Sequence, residues 1–297
     1  MISSNPITVN GQRLDTYAFN IETKTGWASS PATRGSNAVV PGRSGSIVQK
    51  NKTRQDGEFS LRMWISSDTS SPTAPEPNLS PDTRYLRWRE NYDRLLSIFD
   101  STYGLLDVRQ TYPGGRVRQA ICEMNGATDP AMFGSLYGRV SIVLSIPGVY
   151  WRDLGVVGDA SVSGGAAALN GNVNMAVFAG MTAPLDNAIL EVNGPTTNPR
   201  FTDTRTGHYV ELRRELPANS TWRLDCGTMR STYNPTAAFD PAAAVSVTAD
   251  TVAVGAHLPR LFTVSPPLVY GGAPEVRVTS TNTAGGVARI MGRRHFL

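Results

Sequence analysis

Apolar and polar residues alternate along several short stretches in the first half of the chain. The sequence GEFSLRMWIS at residues 57–66 places an apolar residue at every second position, and residues 138–146 repeat this pattern. Because successive side chains of a strand point to opposite faces of a sheet, a period of two predicts half-buried strands. Residues 105–112 and 116–124 are further strand candidates, and Pro-Gly-Gly at 113–115 predicts a hairpin turn between them.

One stretch follows a helical period instead. Between residues 82 and 99, aromatic and aliphatic side chains recur at spacings of three and four, with charged residues between them. Ser80 supplies a helix cap and Pro81 suits the first helical position. We therefore predict an amphipathic helix that ends near Gly104 and packs its aromatic stripe on a sheet. The polar, proline-rich segment 66–81 before it predicts an exposed loop, which either reaches a neighbouring subunit or is a tolerated surface insertion.

The composition changes after Trp151, where a stretch rich in Gly, Ala, Val and Ser begins. Beyond it no helical pattern is present, and short alternating runs are separated by turn signals. These runs are residues 188–192, 208–212, 221–226, 245–254, 275–279 and 287–291. A length of 297 residues also suits two domains. The sequence thus predicts a mostly-β chain with two domains, residues 1–152 and 153–297. The first is α+β, a small barrel or sheet with one helix, and the second is a β-sandwich.

Composition narrows the classes of function. Hydrophobic residues make up 40% and charged residues 18%, as in ordinary globular domains, and no apolar run is long enough to span a membrane. The first residues lack the charged and apolar regions of a signal peptide. Cys122 and Cys226 fall in different predicted domains, so we expect two buried, reduced thiols and folding in a reducing cytoplasm. The net charge of +4 is small and scattered, which argues against specific nucleic-acid binding.

Catalytic, cofactor and metal motifs are not evident. His208, His257 and His295 lack zinc-ligand spacing, and the serine in residues 134–138 is misplaced for a nucleophile elbow. The segment 41–46 lacks the lysine and the helix of a phosphate-binding loop, and reads as a turn. We predict no catalytic, cofactor-binding or metal-binding residues, and no enzyme activity.

Three polar residues of the second half form the only cluster that we weigh as a site. Asp203, His208 and Asp225 could approach one another in a sandwich, but the interpretation that we favour is solvated loop and strand residues.

The first half resembles the first domain of distal tail proteins from long-tailed phages of the siphophage type. The resemblance lies in the order of elements. The apolar-Pro-Gly-Arg-x-Gly segment at 39–45 is followed by the strand at 57–66, the helix at 82–99 and a closing hairpin. The final strand ends in Ile-Pro-Gly-Val-Tyr-Trp at 146–151, which is similar to the junction with the second domain of that family.

The second half resembles the family's second domain, a sandwich of the galectin or carbohydrate-module type. The segments that carry this resemblance are residues 189–193, 194–199, 207–216, 224–226 and 287–297. No single motif is specific, and the resemblance extends over nearly the whole chain.

The resemblance implies a structural role in the virion, with assembly in the host cytoplasm. It implies a homohexameric ring, formed by the first domains at the distal end of the tail tube. The ring would contact the tube protein above and the tail-tip hub protein below, and its channel would pass the tape-measure protein and DNA. The second domains would face outward and hold side fibres or a host-surface glycan.

Two other functions remain open. A carbohydrate-binding protein would need exposed aromatics, and Tyr209, Tyr233 and Trp222 are the candidates, although the alternation of Trp222 with Leu224 and Cys226 predicts that it is buried. A cell-wall-cleaving enzyme would need paired carboxylates, for which no motif argues. Another baseplate or tube-like protein is also possible, but the two-domain length favours the distal tail protein.

Overall fold

The structure is a computed structural model of the 297-residue chain. It describes residues 6–22, 33–34, 38–39, 46–47, 53–67, 80–102, 104–128, 130–133, 137–155, 159–162, 169–255, 262–281 and 286–297. The chain forms two compact units, one of residues 1–154 with Leu297 and the other of residues 155–296.

The first unit is built from short antiparallel strands and one helix. Its described elements are β1 (Ile7–Val9), β2 (Gln12–Arg13), β3 (Phe19–Ile21), β4 (Thr33–Arg34), β5 (Ala38–Val39), β6 (Ser46–Ile47), β7 (Thr53–Arg54), β8 (Gly57–Ser66), α1 (Pro81–Ile98), β9 (Leu106–Thr111), β10 (Val117–Ala127), β11 (Ala131–Phe133), β12 (Tyr137–Ile146) and β13 (Trp151–Asp153).

The main sheet of this unit has the order β2-β1-β9-β10-β12-β8-β3. The long strand β10 joins its two parts, since the beginning of β10 pairs with β9 and its end pairs with β12. The register shifts between Met124 and Gly126, where the strand carries an irregularity of the β-bulge type. The sheet is curled. Since bulges bend a strand and increase its twist, the irregularity in β10 favours this curvature. Outside the main sheet, β4 pairs with β7 and β5 pairs with β6.

Helix α1 packs on strand β8 of this sheet. The side-chain oxygen of Ser80 accepts a hydrogen bond from the Thr83 N–H at 3.2 Å, and Pro81 occupies the first turn, as the sequence predicts. The buried face of the helix presents Trp88, Tyr92, Leu95 and Ile98. It shares the core of the unit with the alternate, fully buried residues of β8 and β12, which are Phe59, Leu61, Met63, Ile65, Val140, Ile142, Leu144 and Ile146.

The second unit contains strands and two short 3-10 helical turns among its described residues. The strands are β14 (Asp159–Val162), β15 (Gly171–Asn172), β16 (Ile189–Asn193), β17 (Thr196–Thr197), β18 (Arg200–Asp203), β19 (Tyr209–Leu212), β20 (Glu215–Leu216), β21 (Thr221–Asp225), β22 (Arg230–Asn234), β23 (Val245–Ser246), β24 (Thr251–Val254), β25 (Val276–Thr279), β26 (Val287–Met291) and β27 (His295–Phe296), and the turns span Ala176–Phe178 and Thr248–Asp250.

Two antiparallel sheets make up most of this unit. One has the order β14-β26-β16-β21-β22-β23, and the other has the order β15-β25-β18-β19-β24. Both contribute to one hydrophobic core, in which Trp222 and Leu224 from the first sheet join Phe201 and Val210 from the second. The centroids of the Phe201 and Trp222 rings lie 6.1 Å apart, within the usual range of about 4.5–7 Å for aromatic contacts.

The prediction of a mostly-β chain with one amphipathic helix is confirmed. The predicted strands at 57–66 and 287–291 have the predicted bounds, and the helix spans Pro81–Ile98. One predicted strand was wrong. Residues 245–254 form two strands separated by a 3-10 turn, because β23 pairs with β22 in one sheet and β24 pairs with β19 in the other. Predictions on residues 68–79, 134–136, 40–45 and His257 lie outside the described residues.

Candidate functional site

Asp203 is a buried structural carboxylate. It is 1% exposed at the end of β18, where its two oxygens accept hydrogen bonds from the N–H groups of Arg205 at 3.0 Å and Ser265 at 2.9 Å. The prediction that this side chain is solvated was therefore wrong. The sequence offers a local signal for this structural role, because short Ser, Thr and Asp side chains commonly accept hydrogen bonds from neighbouring backbone N–H groups in turns.

His208 lies across the same turn, and Asp225 lies elsewhere. The Asp203 N–H donates to the His208 carbonyl at 2.9 Å, so the turn brings these two residues together through the backbone. Asp225 ends a strand of the other sheet, where its Oδ1 accepts hydrogen bonds from the N–H groups of Gly227 and Thr228. Among the described residues, no group of three or more His, Cys, Asp or Glu side chains could hold a metal ion.

The aromatic residues considered for sugar binding are packed against other groups. Trp222 is fully buried and its indole N–H donates to Ser231 Oγ at 2.8 Å, which confirms the prediction that it is a core residue. The half-buried Tyr209 ring is covered by the Arg200 guanidinium, whose Cζ lies 3.6 Å from the ring centroid. The Arg214 guanidinium covers Tyr233 in the same way at 4.7 Å. The ring face that each arginine covers is therefore closed to a stacking sugar ring.

Both cysteines are buried free thiols, as the sequence predicts. Burial raises the pKa of Cys122 to about 12, and the negative charge of Asp107 adds to the shift. Burial also raises the pKa of Cys226, with smaller contributions from Asp225 and Asp186. Since the thiolate is the reactive form, neither thiol is suited to nucleophilic chemistry in the folded protein.

The first unit exposes aromatic side chains around strand β11. Phe133 is 53% exposed and Tyr137, its cross-strand partner, is 46% exposed. The Phe133 ring also lies 5.4 Å from the Trp64 ring. Beside them the Arg139 guanidinium donates to Glu22 Oε2 at 2.8 Å. We call Trp64, Phe133, Tyr137 and Arg139 the aromatic patch.

The strand that carries Phe133 is also a sheet edge. Within the part of the chain that the structure describes, β11 pairs only with β12, and all three of its residues are exposed. An edge with unpaired backbone groups and exposed aromatic side chains is typical of a protein interface, where Tyr, Trp, Phe and Arg are enriched. The aromatic patch is therefore the candidate assembly site of the first unit.

The chain is similar over its full length to a solved phage structure. The match covers 99% of this chain and all of the other, with a TM-score of 0.57 and 12% sequence identity. The protein is SPP1 Dit (gp 19.1), described as a paradigm of the hub adsorption apparatus in phages that infect Gram-positive bacteria. This chain has the fold of Dit. The resemblance to distal tail proteins is thus confirmed at the level of the fold.

Two further solved structures match with less similarity. They are the phage P2 baseplate in its activated conformation with Ca and with Sr, each with a TM-score of 0.35, 8% identity and coverage of 99% of this chain and all of theirs. Similarity of that degree does not define a common fold. No protein-family model matches this Dit-like chain, and no curated protein matches its sequence. No helix among the described residues has both the length and the hydropathy needed to cross a membrane.

Proposed function

We propose that this protein is a structural hub protein of a phage tail, located in the virion. The observation that carries the proposal is the similarity in fold to SPP1 Dit over 99% of the chain. The described residues of this Dit-like fold form no catalytic constellation that we recognise, and we propose a role carried by shape and surfaces rather than enzyme activity.

The finer role that we propose is a homohexameric ring at the distal end of the tail tube. The ring joins the tube protein to the tail-tip hub protein, and its channel passes the tape-measure protein and DNA. Residues 1–152 form the ring, and residues 153–297, which we take as a sandwich of the galectin or carbohydrate-module type, face outward. Assembly takes place in the host cytoplasm, and the outward domain holds side fibres or contacts the host surface.

The aromatic patch supports ring assembly. A cyclic ring needs a heterologous interface, in which one surface of a subunit docks on a different surface of the next. Phe133 and Tyr137 are large aromatic anchors of the kind that dominate the binding energy of interfaces. Beside them, β11 has an edge that no other described strand pairs with. We infer that the aromatic patch supplies one side of the contact.

The test is the mass and shape of the purified full chain. Light scattering coupled to gel filtration should give about six times the 32.0 kDa subunit mass, and negative-stain electron microscopy should show rings with an open centre. A protein that stays monomeric at high concentration and forms no rings would contradict the proposal.

A matched pair of variants tests the location of the contact. Phe133→Ser should shift the ring to smaller species, because it removes an exposed aromatic anchor. Val245→Ser is the control, since Val245 is 59% exposed in the second unit and should leave the ring intact. If both variants assemble like the unmodified protein, the aromatic patch is not the contact.

A further inference from the structure

The six-stranded sheet of the second unit carries a polar groove on β21, β22 and β23. The groove has a volume of about 380 Å³. One wall of the groove is the sheet, and the other is the segment 235–244, which hydrogen bonds attach to the sheet. Thr221 Oγ1 lies 2.9 Å from the carbonyl oxygens of both Thr236 and Ala237, which share its single proton, and Asn234 Nδ2 donates to the Asp240 carbonyl at 2.6 Å. Because these hydrogen bonds attach the segment to the sheet, the groove is part of the folded unit.

Alternation along β21 and β22 places charged side chains in this groove. Trp222 and Leu224 point into the core, so Arg223 and Asp225 point to the opposite face, where Asp225 is opposite Arg230 in register. Both arginines and Asp225 line the groove, with Thr232 and Ser246 among the hydroxyl groups. Glu191, which is buried, is opposite Arg223 on the neighbouring strand β16.

The arginines are available to a ligand. Arg223 is half-buried and its Cζ lies 4.3 Å from the centroid of the Phe239 ring, which holds the guanidinium in one place. Arg230 is exposed. Within the described residues, neither guanidinium has an ion-pair partner inside 4.0 Å. The Asp225 carboxylate next to them accepts hydrogen bonds from the backbone of its own turn through Oδ1, and Oδ2 is the oxygen that we assign to a ligand.

The chemistry of the groove favours one class of ligand. Two guanidinium groups repel a metal ion and bind carboxylate or phosphate through their forked N–H donors. The row of hydroxyl groups suits a ligand with many hydroxyls of its own, and Pro241 and Ala244 in the lining offer an apolar contact to the C–H face of a sugar ring. The volume is at the lower end of the range of small-ligand sites, about 300–1,000 Å³.

We propose that this groove binds an acidic saccharide. Arg223 and Arg230 bind the anionic group, Asp225 and Ser246 bind ring hydroxyls, and Pro241 packs against the ring. The shared chemistry is a sugar that carries one anionic group, either a carboxylate or a phosphate. This site is separate from Tyr209 and Tyr233, and its existence does not depend on ring assembly by the first unit.

Titration calorimetry of the full chain tests the proposal with four probes. They are glucuronic acid, glucose 6-phosphate, glucose and inorganic phosphate. We expect at least one acidic sugar to bind with a Kd in the millimolar range and at least about tenfold more tightly than glucose or inorganic phosphate, since one charge-assisted hydrogen bond contributes about that factor. The first two probes identify the anionic group, and binding of either supports the proposal.

Variants locate the site. Arg230→Gln should weaken binding of the acidic sugar at least about tenfold, as should Arg223→Gln. Arg213→Gln is the control, because Arg213 is an exposed arginine outside the groove. Circular dichroism checks that each variant is folded. If Arg223→Gln disrupts the sheet, Arg230→Gln alone tests the site, because Arg230 is exposed.

Several outcomes would overturn the proposal. One is binding of glucose as tightly as the acidic sugars. Another is binding of inorganic phosphate as tightly as glucose 6-phosphate, with no binding of glucuronic acid. The third is no detectable binding of any probe at about 10 mM, a concentration above the millimolar Kd that we expect. Unchanged affinity in folded Arg230→Gln would place any binding outside the groove. None of these results depends on whether the protein forms rings, so the two proposals fail separately.

Discussion

The contact between Gly138 of β12 and Trp88 of α1 fixes the helix on the sheet, and it gives a sharp prediction. A Cβ atom added to Gly138 would lie 2.5 Å from Trp88 Cζ2, 2.6 Å from Nε1 and 2.7 Å from Cε2. Trp88 is 2% exposed and stacks on Tyr92 at 5.6 Å with nearly parallel rings, so it has little room to move. We therefore expect Gly138→Ala to destabilise the first unit.

The magnitude follows from two opposing effects. Overpacking a well-packed core typically costs about 1–3 kcal/mol. The alanine also reduces the freedom of the unfolded chain, which stabilises a protein by about 0.4–1 kcal/mol where the backbone tolerates it. Gly138 has no left-handed backbone angle, so this second effect applies. The packing effect is larger, and the net loss should be about 1–2 kcal/mol.

Urea unfolding followed by circular dichroism measures this loss, and a double-mutant cycle assigns its cause. Trp88→Leu has no atoms at the positions of Cζ2, Nε1 and Cε2, so Gly138→Ala should cost much less in that background. Gly155→Ala is the control, since a Cβ at Gly155 meets nothing within 4 Å. Equal losses from Gly138→Ala in both backgrounds, or a gain in stability, would refute the reasoning.

Three further results are expected. Replacing the apolar side chains at 268–270 by serine should change the free energy of unfolding by less than about 0.5 kcal/mol by urea denaturation, because they are 73–95% exposed; a larger loss would show that they pack in solution. Ser80→Ala should cost about 1 kcal/mol through loss of the helix cap, whereas Ser97→Ala, exposed in the last turn, should be neutral or stabilising. For Cys122, the raised pKa means that the protonated thiol favours the folded state below pH 9, and this stability is lost as the pH rises towards about 12. The stability difference between the unmodified protein and Cys122→Ala should therefore fall above pH 9, by at most about 1.4 kcal/mol per pH unit; a constant difference to pH 10.5 would contradict the shift.

Periodic elements of this fold could be predicted from the sequence because their signals are local. Strand β8 alternates along its whole length, and the helix has both its cap and its apolar stripe within twenty residues of sequence. By contrast, β18 and β22 were not predicted. In β22 the core-facing positions are Ser231 and Tyr233, whose polar groups hide the alternation.

The pairing between strands that are distant in sequence could not be predicted. This pairing determines the strand order of both sheets and the residues that line the groove. The chain leaves one sheet after β23 and joins the other at β24, with a single 3-10 turn between them, where the Thr251 hydroxyl donates to the Val247 carbonyl at 3.0 Å. Arg223 and Arg230 were not candidate site residues. The alternation of Arg223 with Trp222 and Leu224 was a signal that it points away from the core, but only the register of β21 with β22 brings the second arginine to the same groove.

The difference between local alternation and pairing over long distances also explains why the fold is similar to SPP1 Dit at 12% identity while no family model matches the sequence. A fold held by apolar packing needs few residues of fixed chemical identity. What holds this fold is an alternation that many apolar residues satisfy, together with a few close approaches such as Gly138 under Trp88. Surfaces such as the aromatic patch and the groove are set by side chains that the fold leaves free to vary. The similarity in fold leaves these surfaces undefined, and the variants at Phe133 and Arg230 test the contacts that we propose for them.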